Sequence, residues 1–282
     1  MKGFTKKIGA LVLALTLVVG MATSASAAAW DGYFGANDGT FWEGATGTMA
    51  KNTATAFTAR MTSVGWGGVW GCQVKQPVKM TKGTTYAQSY TIKSTKANKY
   101  IYVKMSVKES LAKGYWVKLP KGKNVKVDQV FKAENNADQL TFGLGGEAGD
   151  REGSDVDASV RYGIFDKQFP KLNHKQLAQL DCDGDFASVT DIVVTNYSLK
   201  TAAKKVSFKA KAKGKKKVKV TMKKAAGVKT FEIQVGKVKK KTTSTSATIK
   251  AKKKGKVAVK VRGISADKKY KTKWATKKVK VK

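Results

Sequence analysis

Two stretches of the sequence place rings, amides and hydroxyls on alternate residues. They are NKYIYVKMSV (98–107) and QLTFGLGG (139–146), in which polar or aromatic residues alternate with aliphatic ones. Successive side chains of a β-strand point to opposite faces, so each stretch predicts a strand with a polar face and a core face. Rings stack on sugar C–H faces, and amides and hydroxyls pair with sugar hydroxyls. The candidate residues are Tyr102, Lys104, Gln139 and Thr141.

Residues that could carry out catalysis are few. His174 is the only histidine, and no serine or cysteine nucleophile motif lies near it. The acidic residues that could act as a general acid and base crowd into residues 147–157, a hydrophilic stretch that lacks the apolar pocket needed to raise a pKa. The sequence therefore predicts a protein that is not an enzyme, with a small glycoside hydrolase or lyase as the less favoured reading.

Three alternate aspartates, Asp181, Asp183 and Asp185, form a candidate metal site. Their spacing resembles the start of a calcium loop. However, Phe186 stands where an EF-hand-type loop has its glycine, and Ile192 stands where that loop has its glutamate. A structural Ca²⁺ site and a plain acidic turn both stay open.

The first 29 residues have the composition of a secretory signal peptide. A basic start is followed by an apolar run and by small residues ending in ASA at 25–27. We expect an exported protein, extracellular or associated with the cell wall, without a transmembrane segment in its mature form. In that oxidising setting Cys72 and Cys182 form either a disulfide or two buried thiols, and the sequence leaves both open.

Charge divides the mature chain into two bodies near residue 199. Residues 200–282 contain 31 lysines and one arginine against two acids, which accounts for +30 of the total net charge of +37. Residues 30–199 are nearly balanced. The sequence therefore predicts a signal peptide at 1–29, a first domain at 30–199 and a lysine-rich domain at 200–282.

Both bodies are predicted to be all-β. The first has frequent glycine and short alternating runs separated by turns, which indicates a β-sandwich. The second alternates valine, isoleucine or phenylalanine with lysine over several runs, such as 218–222 and 257–261. Disorder is the competing interpretation of so many lysines, but a disordered chain has no reason to keep apolar residues in register. A second, smaller sandwich with charged outer faces follows.

The first body resembles carbohydrate-binding modules of the family 4, 9 and 22 type, which are jelly rolls. The resemblance lies in GWGGVWGCQV (65–74), KGTTY (82–86), residues 100–107, QLTFGLGG (139–146) and residues 192–199. It implies that a glycan chain lies in a cleft across one sheet, held by rings and side-chain amides. Carried over by position, it implies a binding surface made of Tyr102, Lys104, Tyr115, Gln139 and Thr141, with Tyr115 in a loop.

Three tryptophans and one glutamine complete the candidate set. Trp66, Trp70 and Trp116 are candidates for stacking, although each could equally be a core residue. A shift of one residue in VWGCQV decides whether Trp70 or Gln73 faces the ligand, because such a shift exchanges the two faces of a strand.

The second body resembles a fibronectin type III or related immunoglobulin-like module. The resemblance lies in ATI (247–249), GKVAVKVRGI (255–264) and YKTKWA (270–275). The tyrosine usual in the 256–264 strand of such modules is missing here.

The combined expectation is a secreted glycan-binding protein with a cationic module that associates with the wall or surface. Its expected partner is a plant or dietary polysaccharide, and an anionic cell-wall polymer is a further candidate. Solubility alone is the plainer explanation of the lysines, and both stay open. Nucleic acid is not expected, because the lysine-rich body lacks interleaved aromatic residues. The alternative is a structural or adhesive surface protein without glycan specificity.

Overall fold

The computed structural model describes residues 29–34, 45–64, 71–108, 110–144 and 189–282. Within these ranges the chain forms strands and turns and no helix, which confirms the all-β prediction. Several predicted features lie outside them: the signal peptide, Trp66, Trp70, the acidic stretch 147–157, His174, Asp181, Cys182, Asp183 and Asp185.

The first sandwich has two antiparallel five-stranded sheets. The front sheet contains β1 (Asp31–Phe34), β4 (Cys72–Met80), β6 (Lys99–Val107), β7 (Ser110–Leu119) and β9 (Ala137–Gly143), in the order β1-β4-β9-β6-β7. The back sheet contains β2 (Ala45–Thr53), β3 (Ala56–Val64), β5 (Thr85–Ser94), β8 (Val125–Lys132) and β10 (Asp191–Thr201), in the order β2-β3-β10-β5-β8. The predicted sugar-binding strands, β6 and β9, are neighbours in the middle of the front sheet.

A cluster of aromatic rings fills the space between the two sheets. The Trp30 ring lies 5.0 Å from the rings of both Phe57 and Tyr197 in edge-to-face contacts. Phe142 of β9 contacts Tyr90 of β5 in the same way, at 5.4 Å. Edge-to-face pairs add about 0.5–1.5 kcal/mol each to the burial of the rings, so this cluster holds the front sheet against the back sheet.

The second sandwich has seven strands in a three-stranded and a four-stranded sheet. One sheet contains β11 (Phe208–Ala212), β12 (Lys217–Met222) and β15 (Ser246–Lys250), and the other contains β13 (Thr230–Val235), β14 (Val238–Thr242), β16 (Gly255–Ile264) and β17 (Ala275–Val281). The alternating apolar residues of β12, β13 and β16 are buried in a common core. The lysine-rich part of the chain therefore forms strands with a shared core and is not a disordered segment, because its apolar side chains share one face of each strand.

The two sandwiches meet at a tight turn. The Ala203 backbone N–H donates to the Ala226 carbonyl oxygen at 3.0 Å, next to Gly227. Gly227 has a φ of +74°, and a methyl group placed on it would lie 2.7 Å from Val130 Cγ2 and 3.1 Å from Ala87 Cβ. Since Val130 and Ala87 belong to the back sheet, only glycine allows the backbone of the second sandwich to approach the first so closely.

We expect Gly227→Ala to destabilise the protein by about 1–3 kcal/mol more than Gly214→Ala does. Both glycines have positive φ, so both variants suffer the same kind of backbone strain, but a methyl group at Gly214 meets nothing within 4 Å. Urea unfolding of the two variants isolates the contribution of the contact between sandwiches. Equal losses of stability would show that the sandwiches do not depend on this contact.

Candidate functional site

On the outer face of the front sheet, the strand register places side chains of neighbouring strands opposite one another, so that they form rows across the sheet. One row, called here the aromatic row, runs across all five strands. Its members, in spatial order, are Tyr33, Gln73, Gly143, Tyr102 and Trp116. Cys72 and Val74 lie in the core, so Gln73 faces outward, and the ambiguity within VWGCQV is resolved for this residue.

Tyr102 lies on the predicted face, but its expected exposure is wrong: the side chain is only 1% exposed. Its ring contacts the Trp116 ring at a centroid distance of 4.8 Å. A methyl group on Gly114 of the adjacent strand would overlap the Tyr102 hydroxyl, so the hydroxyl end of the ring lies over a residue that has no side chain. Tyr102 therefore serves as packing beneath the surface and presents no ring for stacking.

Tyr115 is also placed differently from the prediction. It lies in β7, not in a loop, and its side chain turns toward the interior. Its hydroxyl donates to Gln88 Oε1 at 2.7 Å and lies 2.9 Å from the Tyr90 hydroxyl. Because Trp116 is the next residue in the same strand, it faces outward and is half-buried. Trp116 is thus the predicted stacking residue that the structure places on the outer face.

Burial makes four tyrosines weaker acids than an exposed tyrosine. Loss of hydration raises the pKa of Tyr90, Tyr102 and Tyr197 above the usual value of 10.0, and it raises that of Tyr115 well above it. These phenols therefore act as neutral hydrogen-bonding and packing groups.

A second row, called here the lysine row, lies beside the aromatic row. It places Lys75 and Lys104 on either side of Thr141, with Asp31 at one edge. Thr141 is 1% exposed, and its hydroxyl donates to Gln139 Oε1 at 3.4 Å. Thr141 is therefore less exposed than predicted, and its hydroxyl contacts the exposed Gln139 side chain.

An open depression of about 420 Å³ lies over the lysine row. All of its lining residues except Pro77 are polar, and they include the predicted residues Lys104 and Gln139, of which Gln139 is exposed. The other lining residues are Asp31, Lys75, Gln76, Pro77, Ser106, Lys108 and Asp138. The depression combines amide, hydroxyl, ammonium and carboxylate groups, which together can donate and accept hydrogen bonds from a saccharide.

Several of these residues were not predicted. Lys75 follows Gln73 by two residues in β4, so extending the alternation from Gln73 would have found it. Asp31 and Tyr33 lie in β1, whose four residues are too few to show a period. Tyr33 is half-buried, and the Lys75 ammonium lies 4.9 Å from its ring centroid in a cation–π contact.

Two kinds of feature are absent from the described ranges: a cluster of metal ligands and a membrane-spanning helix. No group of three potential metal ligands occurs there, and the calcium prediction at Asp181, Asp183 and Asp185 falls on residues outside those ranges. The same described ranges contain no helix able to span a membrane. Cys72 is buried, and its Sγ lies 3.7 Å from the Ser63 carbonyl oxygen, but Cys182 is outside the described part. The disulfide question therefore stays open.

No protein-family model and no curated protein sequence matches the chain. Among solved structures, a CBM4 structure is similar at 14% sequence identity and a TM-score of 0.40, over 61% of this chain and 86% of that one. The N-terminal cellulose-binding domain of Cellulomonas fimi β-1,4-glucanase C is similar at 14% identity and a TM-score of 0.36, over 62% and 89%.

A third similar structure extends over both sandwiches. The adhesin domain of Epf from Streptococcus pyogenes covers 84% of this chain and 80% of its own, at 11% identity and a TM-score of 0.27. Identities and TM-scores this low carry no conclusion about function.

The raised pKa values of the buried tyrosines lead to a prediction about stability at high pH. Above pH 10 the unfolded chain releases phenolic protons that the folded chain retains on Tyr90, Tyr102, Tyr115 and Tyr197. Stability should therefore fall as the pH rises above 10. In an ultraviolet titration these four phenols should ionise only when the sheets unfold, and Tyr115→Phe should reduce that late phase. A single early phase with the circular dichroism unchanged would contradict the burial.

Proposed function

We propose that the protein is a secreted, non-catalytic glycan-binding protein whose site is the outer face of the front sheet. The observation that carries the proposal is the open polar depression over the lysine row, next to the aromatic row. Sugar hydroxyls need both hydrogen-bond donors and hydrogen-bond acceptors, and a polysaccharide needs a surface open at both ends. An open sheet face with polar side chains provides all three.

Polar side chains of the depression would hydrogen-bond the sugar, and aromatic rings at the edges of the sheet would stack on it. Gln139 contributes an exposed amide that can donate and accept, and Lys104 contributes an ammonium donor. Trp116 and Tyr33 lie half-buried at opposite edges of the sheet, where their rings can stack on a saccharide. Binding to one chain should be weak, about 4–8 kcal/mol, or millimolar to micromolar, because an open surface leaves most contacts partly hydrated.

The second sandwich would hold the protein near an anionic surface. Its outer faces place lysines directly opposite each other in three register pairs: Lys256 with Lys280, Lys217 with Lys250, and Lys211 with Lys219. Like charges facing each other across strands destabilise a sheet. A polyanion laid along these faces would relieve that repulsion, which is a reason for the arrangement beyond solubility.

The second candidate is an adhesive surface protein without glycan specificity. The two rigid sandwiches and their charged faces would suit contact with a wall or a protein partner. The signal-like first 29 residues agree with either function, since both require export.

We expect Gln139→Ala to lower the affinity for a bound polysaccharide by about three- to tenfold, the usual effect of losing a hydrogen bond. Affinity electrophoresis against β-glucans, xylan, mannan and starch would identify the polysaccharide and measure the change. Gln234→Ala, which alters a glutamine in the second sandwich, is the matched control and should bind normally. If no glycan is retained while attachment to cells persists, adhesion replaces glycan binding.

We expect the double variant Lys256→Gln/Lys280→Gln to release the protein from teichoic-acid-like polyphosphate at lower salt than the unaltered chain. Removing two cations reduces the number of counterions released on binding, and surface charges are screened beyond about 8 Å at physiological salt. Salt elution from immobilised polyphosphate measures the shift. An unchanged elution point would assign these lysines to solubility alone.

A further inference from the structure

We propose that a crevice between the two sandwiches binds a single phosphorylated sugar or polyol unit. The crevice, called here the junction crevice, has a volume of about 310 Å³. It is lined by Ser89, Asp128, Ser198 and Lys200 of the first sandwich and by the turn 224–227 of the second. It lies on the back sheet and shares no residue with the glycan site proposed on the front sheet, so neither proposal depends on the other.

A row of three polar side chains forms the floor of the junction crevice. Register places Ser89 directly opposite Ser198 on one side and Asp128 on the other, with about 4.8 Å between neighbouring strands. All three residues are half-buried, and within the described part of the chain their side chains form no hydrogen bond and no ion pair. Half-buried hydroxyl and carboxylate groups without a protein partner can pair with the hydroxyls of a ligand.

Two ammonium groups belong to the same crevice, one from each sandwich. Lys200 follows Ser198 by two residues in β10, so it lies on the same face of the back sheet. Lys224 follows the end of β12 in the second sandwich. Both lysines are exposed, and neither forms an ion pair with Asp128 or with any other described acid. An anion could therefore bind both cations without displacing a protein carboxylate.

Backbone N–H groups of the turn provide further donors. The Val228 N–H donates to the Ala225 carbonyl oxygen at 3.1 Å, which closes the turn around Ala226 and Gly227. The N–H groups of Ala226 and Gly227 donate no hydrogen bond within the described ranges, and both residues line the crevice. A phosphate group presents three acceptor oxygens, enough for two ammonium groups and a backbone N–H, whereas a carboxylate presents two. These donors therefore favour a phosphate.

The volume of the crevice and its single carboxylate narrow the ligand further. Ligand sites usually measure about 300–1,000 Å³, so a crevice near the lower limit suits one sugar or polyol unit. Asp128 repels a bare phosphate ion but accepts hydrogen bonds from ligand hydroxyls. The crevice therefore favours a phosphate that carries hydroxyls over inorganic phosphate and over an uncharged sugar.

The test compares glucose 1-phosphate with glucose and with inorganic phosphate. Isothermal titration calorimetry on the full chain, at about 0.15 M salt, should show about tenfold or tighter binding of glucose 1-phosphate relative to either of the others. Asp128→Ala should weaken glucose 1-phosphate by about three- to tenfold, because a hydroxyl acceptor is lost. The same variant should bind inorganic phosphate at least as tightly as the unaltered chain does. Equal affinity of the unaltered chain for glucose 1-phosphate and inorganic phosphate would overturn the proposal.

The single variants Lys200→Gln and Lys224→Gln test whether one ligand contacts both sandwiches. Each variant removes one cation from one sandwich and should lower the affinity for glucose 1-phosphate by about fivefold or more, the effect of losing a charge-assisted hydrogen bond. A loss in only one of the two variants would place the ligand on a single sandwich and refute the crevice as the site.

Matched controls are Lys126→Gln in the first sandwich and Lys223→Gln in the second. Lys126 precedes Asp128 by two residues and Lys223 is next to Lys224, and both are exposed without lining the crevice. Their affinity for glucose 1-phosphate should stay within about twofold, because exposed charges at a distance are screened by salt. Losses equal to those of the Lys200 and Lys224 variants would show adsorption to positive charge in general and overturn the site.

Gln139→Ala separates this site from the proposed glycan site. It should leave the binding of glucose 1-phosphate unchanged. If it abolishes that binding, the sugar phosphate binds on the front sheet, and the junction site is refuted while glycan binding stands. If glucose 1-phosphate binds through Lys200 and Lys224 but no polysaccharide is retained, the junction site stands and the glycan site is refuted.

A short oligomer of glycerol phosphate identifies the source of the ligand. Tighter binding of the oligomer than of glycerol 1-phosphate, with the same loss in the Lys200→Gln and Lys224→Gln variants, would support the crevice as a site for one unit of a polymer. Tighter binding of the monomer with that loss would support a free compound. Binding of the oligomer that is unchanged in both variants, with no binding of the monomer, would overturn the proposal.

Discussion

Register among β4, β9, β6 and β7 is the constraint on which the candidate site depends. Backbone pairing places Gly143 opposite Tyr102 and Thr141 opposite Lys104, so every outward side chain meets a fixed neighbour. A shift of one residue in β9 would turn Phe142 out of the aromatic core and destroy both the packing and the site. The core rings and the polar depression are thus two consequences of the same hydrogen-bond ladder.

Alternation in the sequence predicted which face each residue occupies, but not how exposed it is. The strand assignments hold for residues 99–107 and 139–143, with Leu140 and Phe142 inward and Gln139 outward. Tyr102 points outward but is buried, because its ring packs against Trp116 and lies over Gly114. Both residues belong to the neighbouring strand β7. Exposure depends on such cross-strand neighbours, which are not apparent from the periodicity of a single strand.

The second sandwich shows how far apolar periodicity alone can specify a fold. Its lysines oppose compaction through self-repulsion, yet Val218, Ile233 and Val259 are completely buried. Arg262 and Glu232 form an ion pair at 2.6 Å, and the Arg262 guanidinium stacks on Trp274 at 4.5 Å. This cluster supplies an acid within a face that otherwise carries mostly cations. The apolar core is therefore what keeps so charged a chain folded.

Packing of Tyr102 beneath the surface has a consequence for the thermodynamics of ligand capture. Its ring is already packed against Trp116 and over Gly114, so its side-chain torsions are restricted before any ligand binds. Flexible side chains typically lose about 0.5–1.5 kcal/mol each when a ligand immobilises them. The packing of Tyr102 next to the depression is therefore in place without a ligand. Binding there would not have to order this side chain, and that entropy cost would be avoided.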